Sequence, residues 1–278
     1  NIFYLFLIFL VGLSSDRIRD FSPLIRLLFQ ILITLLFVVN TQTLIIDVRI
    51  DFINQLLNQN IYLPIIFTIF CFIVLMNGTN FIDGVNLNTI GFYILVYSAI
   101  LIVSNNNDLY IDKSFNVKII LFLIVIYLMN FFNKLQLGDG GSYLISFFTA
   151  FYVINFISQN PLASPYFAIL ILWYPCFENL FSILRKFRFN RSPLNPDSNH
   201  LHQLLFYFLK SKNNFKNIYI NNLSTLIILI FNFAIFFVAI SNIYSTKLQI
   251  FSLFFSIIIY IVAYIFLFNF KYKNFKFM

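Results

Sequence analysis

The chain has 278 residues, of which 60% are hydrophobic and only 10% are charged, and forty of them are phenylalanine. Soluble globular domains carry about 25% charged residues, so this composition excludes a soluble protein. Apolar runs recur along the whole length, which predicts an all-α, polytopic helical membrane protein. The only two cysteines, Cys71 and Cys176, and two histidines are too few for a disulfide framework or a zinc centre.

Nine apolar segments follow one another along the chain. Their bounds are about 1–13, 24–40, 61–76, 91–104, 117–132, 143–157, 164–184, 223–240 and 248–269. The first is shorter than the ~20 residues that a membrane span needs, and the chain opens on Asn1. We therefore expect a single integral-membrane domain over residues 1–278 that lacks its N-terminal helices. The longest polar stretch, 185–222, is expected to be a loop.

Lysine and arginine are distributed unevenly between the two faces that these segments define. Thirteen of the 18 lie on the face that holds the C-terminal tail and the loops 14–23, 77–90, 133–142 and 185–222. Four lie on or near the opposite face, and Arg26 lies at the start of the second segment. Because cytoplasmic loops are enriched in Lys and Arg, the first face is predicted to be cytoplasmic. The net charge of +8 reflects this asymmetry and requires no nucleic-acid partner.

All seven glycines lie in or beside three short polar segments of the cytoplasmic face, and each segment carries an aspartate. The segments are 12–16, 77–91 and 137–142. Glycine permits positive φ and close backbone approach, and acid-bearing loops of this kind suit a divalent cation and phosphate. The alternative is that these glycines mark ordinary turns between helices.

Two of the aspartates, Asp83 and Asp139, border different apolar segments. Helix packing could bring them together around one hard cation, and Mg²⁺ prefers one or two carboxylates together with substrate phosphates. Taken singly, each could instead cap a helix N-terminus. The pair with its glycines favours a metal site.

Both histidines lie in the stretch 191–205, which reads RSPLNPDSNHLHQLL. Arg191 and Asp197 lie in the same stretch, and His200 and His202 follow two prolines. A lone loop histidine carries little meaning, but this combination predicts a polar site for pyrophosphate or sugar.

Together these segments resemble the polyprenyl-phosphate N-acetylhexosaminyl-1-phosphate transferase family, membrane enzymes that begin lipid-linked glycan synthesis in bacteria. The motif Asn-x-x-Asn-x-x-Asp-Gly is matched at 77–84, and Gly-Asp-x-Gly-Ser at 138–142. The family's Pro-x-x-Asp helix resembles 175–185, with Glu178 at the acid, and its Ser-Pro…His-x-His-x-Leu-Leu loop matches 192–205. The segment 12–30 resembles the one that carries the family's Asp-Asp pair.

This resemblance implies transfer of an N-acetylhexosamine 1-phosphate from a UDP-sugar to polyprenyl (undecaprenyl) phosphate, with release of UMP. It implies Mg²⁺, with Mn²⁺ as the alternative ion, held by Asp139 and Asp16, and Asp83 as the catalytic group that orients or deprotonates a reactant. The implied substrate-binding residues are Asn77 and Asn80 on the nucleotide side, and Arg191, Asp197, His200 and His202 at the sugar pyrophosphate.

The expected partners are thus a UDP-N-acetylhexosamine, polyprenyl phosphate and the lipid bilayer of a bacterial plasma membrane. A homodimer is left open by the resemblance.

The chain departs from the family pattern at two places. The Asp-Asp pair is reduced to Ser15-Asp16, with Asp20 as the residue that could compensate, and Gln203 replaces a third histidine found in many members. Two alternatives therefore stand beside the transferase. One is a catalytically weakened relative, and the other is a transporter or channel, since these also use intramembrane acids and glycine breaks.

Overall fold

The computed structural model describes residues 1–18, 21–190, 192, 197–212 and 215–272. Twelve α-helices and no strand occur in this part of the chain, which confirms the all-α prediction. They are α1 (Ile2–Arg17), α2 (Pro23–Thr41), α3 (Asp51–Gln59), α4 (Tyr62–Ile82), α5 (Asn88–Asn106), α6 (Lys113–Phe131), α7 (Gly138–Gln159), α8 (Pro165–Ile171), α9 (Trp173–Arg188), α10 (Leu201–Lys212), α11 (Asn217–Ser241) and α12 (Thr246–Lys271).

Seven of the helices in the described ranges are long and apolar enough to cross a membrane, namely α2, α4, α5, α6, α7, α11 and α12. The pair α8 and α9 adds an eighth crossing if it is counted as one broken span. The first predicted segment corresponds to α1, which has 16 residues and is shorter than a full span. The nine predicted segments therefore all fall on helices, but not all are complete spans.

The predicted segment 164–184 is not one straight helix. It breaks at Leu172, where α8 and α9 meet with a bend of 72°. Pro175 accounts for the break, since a proline in the first turns of a continuing helix has no N–H for the carbonyl of Ile171 and its ring clashes with that carbonyl.

Two further sequence predictions need correction. The loop predicted over 133–142 ends early, because α7 begins at Gly138 and contains Asp139 in its first turn. The stretch 185–222, predicted to be a loop, contains the end of α9, the whole of α10 and the start of α11. The apolar face of α10 packs against α11 and α12, and this contact stabilises a helix that the sequence placed in a polar stretch.

Glycine permits the closest helix contacts near the motif segments. A Cβ atom on Gly12 of α1 would lie 2.5 Å from the Cα of Gly140 in α7, so the two backbones touch. A Cβ on Gly78 of α4 would overlap the backbone of Pro175 in α9. Small residues allow membrane helices to approach in this way. The three helix ends that carry the acids are thereby drawn to one end of the bundle.

The opposite end of the bundle is closed by contacts between the loops predicted to share the other face. Arg49 donates hydrogen bonds to the backbone carbonyls of Pro161, Leu162 and Ala163 at 3.1, 2.8 and 3.0 Å. It also donates to Thr246 Oγ1 at 3.2 Å. The loops 41–60, 158–163 and 241–247 therefore meet, as the alternation of the segments predicts.

The contact between α1 and α7 gives a first prediction. Gly12→Ala should lower the free energy of unfolding of the purified protein by about 1–3 kcal/mol, and with it the unfolding temperature, because the new methyl group meets rigid backbone. Gly91→Ala is the matched control, since its Cβ would meet only side-chain atoms of Leu229 and Tyr127, which can move. Equal unfolding temperatures for the two variants in detergent would contradict the close approach.

Candidate functional site

A cavity of 870 Å³ lies at the end of the bundle where the three glycine–aspartate segments meet. Its polar lining includes Arg26, Asn77, Asn80, Asp83, Asn86, Asn130, Gln136, Asp139, Asn179, Lys186, Asp197, His200 and Gln203. Its apolar lining includes Pro23, Leu27, Phe70, Ile73, Val74, Leu180 and Ile183, from α2, α4 and α9. One cavity thus offers both a charged surface and an apolar wall.

Asp139 is held at the polar end by three donors from three other helices or helix ends. Its Oδ2 accepts hydrogen bonds from Ser15 Oγ at 2.7 Å and from Arg26 Nη1 at 2.7 Å. Its Oδ1 accepts from Asn80 Nδ2. Arg26 Nη1 also donates to Ser15 Oγ at 2.9 Å. The carboxylate is therefore fixed in direction, with Arg26 as its counter-charge.

Asp16 lies against the start of α7 and caps it. Its Oδ1 accepts the backbone N–H of Asp139 at 2.9 Å, and its Oδ2 accepts that of Gly140 at 3.1 Å. The first N–H groups of a helix have no partner inside it, and the helix dipole favours a negative charge there. Gly138 has a φ of +62°, and a Cβ on it would lie 2.7 Å from Asp16 Oδ2, so glycine is required where the cap approaches.

Asp83 lies just after the C-terminal end of α4 and lines the same cavity. Burial raises the pKa of its carboxyl to about 7, and the negative charges of Asp139 and Asp16 act in the same direction. The three predicted acids are therefore close enough to interact. A group with a pKa near neutrality can exchange a proton under physiological conditions.

The two motif asparagines project from one side of α4. Asn80 donates to Asp139, as described above, while Asn77 Nδ2 donates to Gln30 Oε1 of α2 at 3.0 Å. Gln30 is fully buried, so it fixes the amide of Asn77 at the edge of the cavity. The i, i+3 spacing of the motif places both amides on one helix face.

His200 lines the cavity from the other side, between two carboxylates. Its Nδ1 lies 2.9 Å from Glu178 Oε1, and its Nε2 lies 3.6 Å from Asp197 Oδ1. Its ring packs on that of Phe81, with 4.9 Å between the centroids. The imidazole is therefore held on its edges and on one face.

Asp197 anchors the loop that carries His200. Its two oxygens accept hydrogen bonds from Arg185 Nη2 at 2.9 and 2.8 Å. Burial opposes ionisation of the Asp197 carboxyl, but the charges of Arg185 and His200 outweigh it and lower its pKa. Asp197 thus lines the cavity as a paired carboxylate.

His202 is placed differently from the sequence-based expectation. It is fully buried in the first turn of α10, does not line the cavity, and packs with its Nε2 against Gly84. Its ring is parallel to that of His200, with centroids 5.9 Å apart. Burial, together with the charge of His200, lowers the pKa of its imidazole to about 3. Because the His202 ring is fully buried and does not line the cavity, it contributes to packing in this structure.

The structure thus brings together Asn77, Asn80, Asp83, Asp139, Asp197 and His200 as cavity-lining residues. Asp16 supports them from the α7 cap. Arg191 and Asp20 lie outside the described residues. Cavity residues that sequence reasoning missed include Arg26, Asn130, Gln136, Asn179 and Lys186. Of these residues, only Arg26 could have been recognised from the sequence as a site candidate, because it is a cation at the start of an apolar segment.

The implied magnesium ion can be tested against the residues present. Across the described ranges, no group of three or more His, Cys, Asp or Glu side chains converges as metal ligands. Mg²⁺ often takes only one or two carboxylates with substrate phosphates and water. Burial is the main cause of the raised pKa of Asp83, and the negative charges of Asp139 and Asp16 add to it. Asp139 lines the cavity with Arg26 as its counter-charge, while Asp16 is bonded to α7. One carboxylate together with substrate phosphates and water is a ligand set that Mg²⁺ uses, so the donor set fits a cation at Asp139.

Comparison with known proteins agrees with this geometry. A family model described as glycosyl transferase family 4 matches residues 2–157. A probable undecaprenyl-phosphate N-acetylglucosaminyl 1-phosphate transferase of Bacillus subtilis (strain 168) is 24% identical over 206 residues, which is 73% of this chain. The chain spans 56% of the length of that relative. The family match covers more than half of the chain and includes α1 to α7, with Asp16, Asp83 and Asp139; the chain belongs to glycosyl transferase family 4.

Proposed function

We propose that the protein transfers an N-acetylhexosamine 1-phosphate from a UDP-sugar to polyprenyl phosphate, the undecaprenyl lipid being the acceptor that the relative's name indicates. The observation that carries the proposal is the single cavity with two kinds of wall. The acids, amides and His200 suit a sugar pyrophosphate, and the apolar residues of α2, α4 and α9 suit an isoprenoid chain. The product would begin a lipid-linked glycan of the cell envelope.

The reaction is a phosphoryl-sugar transfer. An oxygen of the acceptor phosphate bonds to the β-phosphorus of the donor, and the bond from that phosphorus to the bridging oxygen breaks, so that UMP leaves with the electron pair. Such a transfer depends mainly on positioning and on neutralising the phosphate charges. Asp83 takes up the remaining proton of the acceptor phosphate or orients it, as its pKa of about 7 allows.

Each wall of the cavity has a role in this proposal. Asn77 and Asn80 contact the nucleotide side of the donor, and Asp197 and His200 lie at the sugar pyrophosphate. Asp139 would hold a magnesium ion, with Asp16 keeping its helix in place, and Mn²⁺ is the alternative ion. The metal would supply Lewis-acid neutralisation of the pyrophosphate. The family match favours this reaction over the transporter considered from the sequence.

Ser15 bears on whether the chain is a weakened relative. Its hydroxyl donates to Asp139 and accepts from Arg26, so it occupies the network in which a second carboxylate would stand. A hydrogen-bonded serine preserves the position of Asp139 but contributes no charge. We propose that activity persists and that metal binding is weaker than with an aspartate pair.

Replacing Asp139 tests the proposed metal and phosphate chemistry. Asp139→Asn should reduce UMP release from UDP-N-acetylhexosamine by about 10³-fold or more, because a carboxylate that neutralises the transition state through the metal is lost. Asp51→Asn, an exposed acid at the opposite end of the bundle, is the matched control and should retain full activity. Near wild-type turnover by folded Asp139→Asn protein would exclude the assignment.

Restoring the second carboxylate tests the role of Ser15. Ser15→Asp should lower the Mg²⁺ concentration that gives half-maximal activity and half-maximal thermal stabilisation, since two adjacent carboxylates repel unless a cation lies between them. Ser14→Asp adds the same charge one residue away, where the native hydroxyl bonds only to the Leu10 carbonyl. If both variants shift the Mg²⁺ titration equally, or neither does, this end of α1 is not close to the metal.

The orientation is tested by labelling. In a variant lacking Cys71 and Cys176, a cysteine introduced by Ser198→Cys should resist an impermeant thiol reagent added to intact cells. The physical reason is the excess of Lys and Arg on this face. Leu162→Cys, at an exposed position of the opposite end, should react readily. The reverse labelling pattern would overturn the proposed cytoplasmic location of the cavity.

A further inference from the structure

Glu178 is a carboxylate that the proposed reaction leaves without a role. It is fully buried in α9 and does not line the cavity. A buried charge is costly unless it is paired and hydrogen-bonded. Glu178 Oε1 lies 2.9 Å from His200 Nδ1 and accepts the backbone N–H of Leu201 at 3.4 Å. Its Oε2 accepts the hydroxyl of Tyr260 at 2.6 Å. Both carboxylate oxygens of Glu178 therefore have hydrogen-bond partners, and one of these partners is the His200 imidazole.

This arrangement determines how His200 faces the cavity. A ring nitrogen beside a carboxylate donates to it, so Nδ1 is the donor to Glu178. Nε2 lies on the side of Asp197, 3.6 Å from its Oδ1. The rings of Phe81 and His202 also pack on the imidazole, at centroid distances of 4.9 and 5.9 Å. Turning the ring over would break the bond between Nδ1 and Glu178.

Titratable groups face His200 from three neighbouring elements. Glu178 approaches from α9, and Asp197 from the preceding loop at 3.6 Å. Arg185 is bonded to Asp197 and to the carbonyl of Asn199, which directs its charge to those groups. His202 of α10 is the other titratable neighbour. The imidazole therefore lies between two carboxylates at the wall of the cavity.

We infer that Glu178 is a positioning residue that, together with Tyr260, holds the His200 imidazole at the wall of the cavity, where it contacts the phosphates of the bound donor. This rests on the proposed function, since it assigns a phosphate-bearing ligand to the cavity. Glu178 acts only through His200. Its exchange for a neutral residue removes the carboxylate that bonds Nδ1, so that the orientation of the ring is no longer fixed.

The helix α12 contributes to this arrangement from outside the family-matched region. Tyr260 and Tyr264 lie on α12, and the Tyr264 hydroxyl donates to the Asn199 carbonyl at 3.0 Å. Lys271 Nζ donates to Asn199 Oδ1 at 3.0 Å and to the Ser198 carbonyl at 2.8 Å. The position of the His200 loop therefore depends on the last helix of the described chain.

Kinetics against pH test the inference with the full-length chain in detergent or vesicles. Glu178→Gln should lower kcat/KM for the UDP-sugar by about 10–100-fold, the effect of losing an outer-shell partner. It should also change the pH profile of kcat/KM, because the substitution removes a charge that contacts the imidazole. Glu178→Asp should recover part of both effects.

Two tyrosine variants separate positioning from folding. Tyr260→Phe removes one hydroxyl and leaves Glu178 charged, so it should lower kcat/KM with little shift of the pH profile. Tyr97→Phe is the control, since its buried hydroxyl bonds to Thr149 Oγ1 at 2.8 Å, away from the cavity. A folded Glu178→Gln protein with a wild-type pH profile would overturn the inference, as would equal losses in the Tyr260 and Tyr97 variants.

Calorimetry with UDP separates this inference from the proposed function. If the wild type turns over no UDP-sugar, the proposed reaction fails, and UDP affinity at pH 6.5 and 8.5 still reports on His200. Glu178→Gln should bind UDP more weakly than the wild type, and the pH dependence of its binding should differ. Equal UDP affinity of the two proteins at both pH values would contradict the positioning role.

Discussion

The hydrogen bonds from the start of α7 to Asp16 are the contact on which the site depends. A helix beginning near a membrane surface has backbone N–H groups that need partners, and a carboxylate satisfies two of them at once. This joins the end of α1 to the start of α7 and directs Asp139 toward Asn80 and Arg26. The backbone contact at Gly12 permits the approach, so a packing feature and an electrostatic one act together.

Charge balance governs what the cavity can bind. Asp83 and Asp139 face one side, with Arg26 as the cation bonded to Asp139. Lys186 and His200 lie across the cavity, where Lys186 Nζ is 5.7 Å from the ring of Phe81. Under the proposed reaction two phosphate-bearing substrates enter this space. The acidic side then requires a cation, while the basic side can contact phosphate oxygens directly.

Several features could be predicted from local sequence. Apolar segments predict helices because hydrophobicity and length are properties of the segment itself. The motif at Asn77, Asn80 and Asp83 was predicted to lie in the loop 77–90, whereas α4 continues to Ile82 and carries both asparagines. Residues three apart share a helix face. The break at Pro175 could also have been predicted, since proline cannot donate the helical hydrogen bond. The continuous apolar run 164–184 was instead interpreted as one segment.

The sequence by itself determined an all-helical membrane chain whose motif acids, motif amides and histidines gather at one end, because composition and segment order decide these properties. Only the tertiary structure decided which of those groups meet. It buried His202 and left His200 in the cavity, turned Asp16 into a helix cap, and placed Arg26 and Glu178 beside Asp139 and His200. These outcomes depend on contacts between helices far apart in the chain, and pairing, burial and pKa follow from the neighbours that packing supplies.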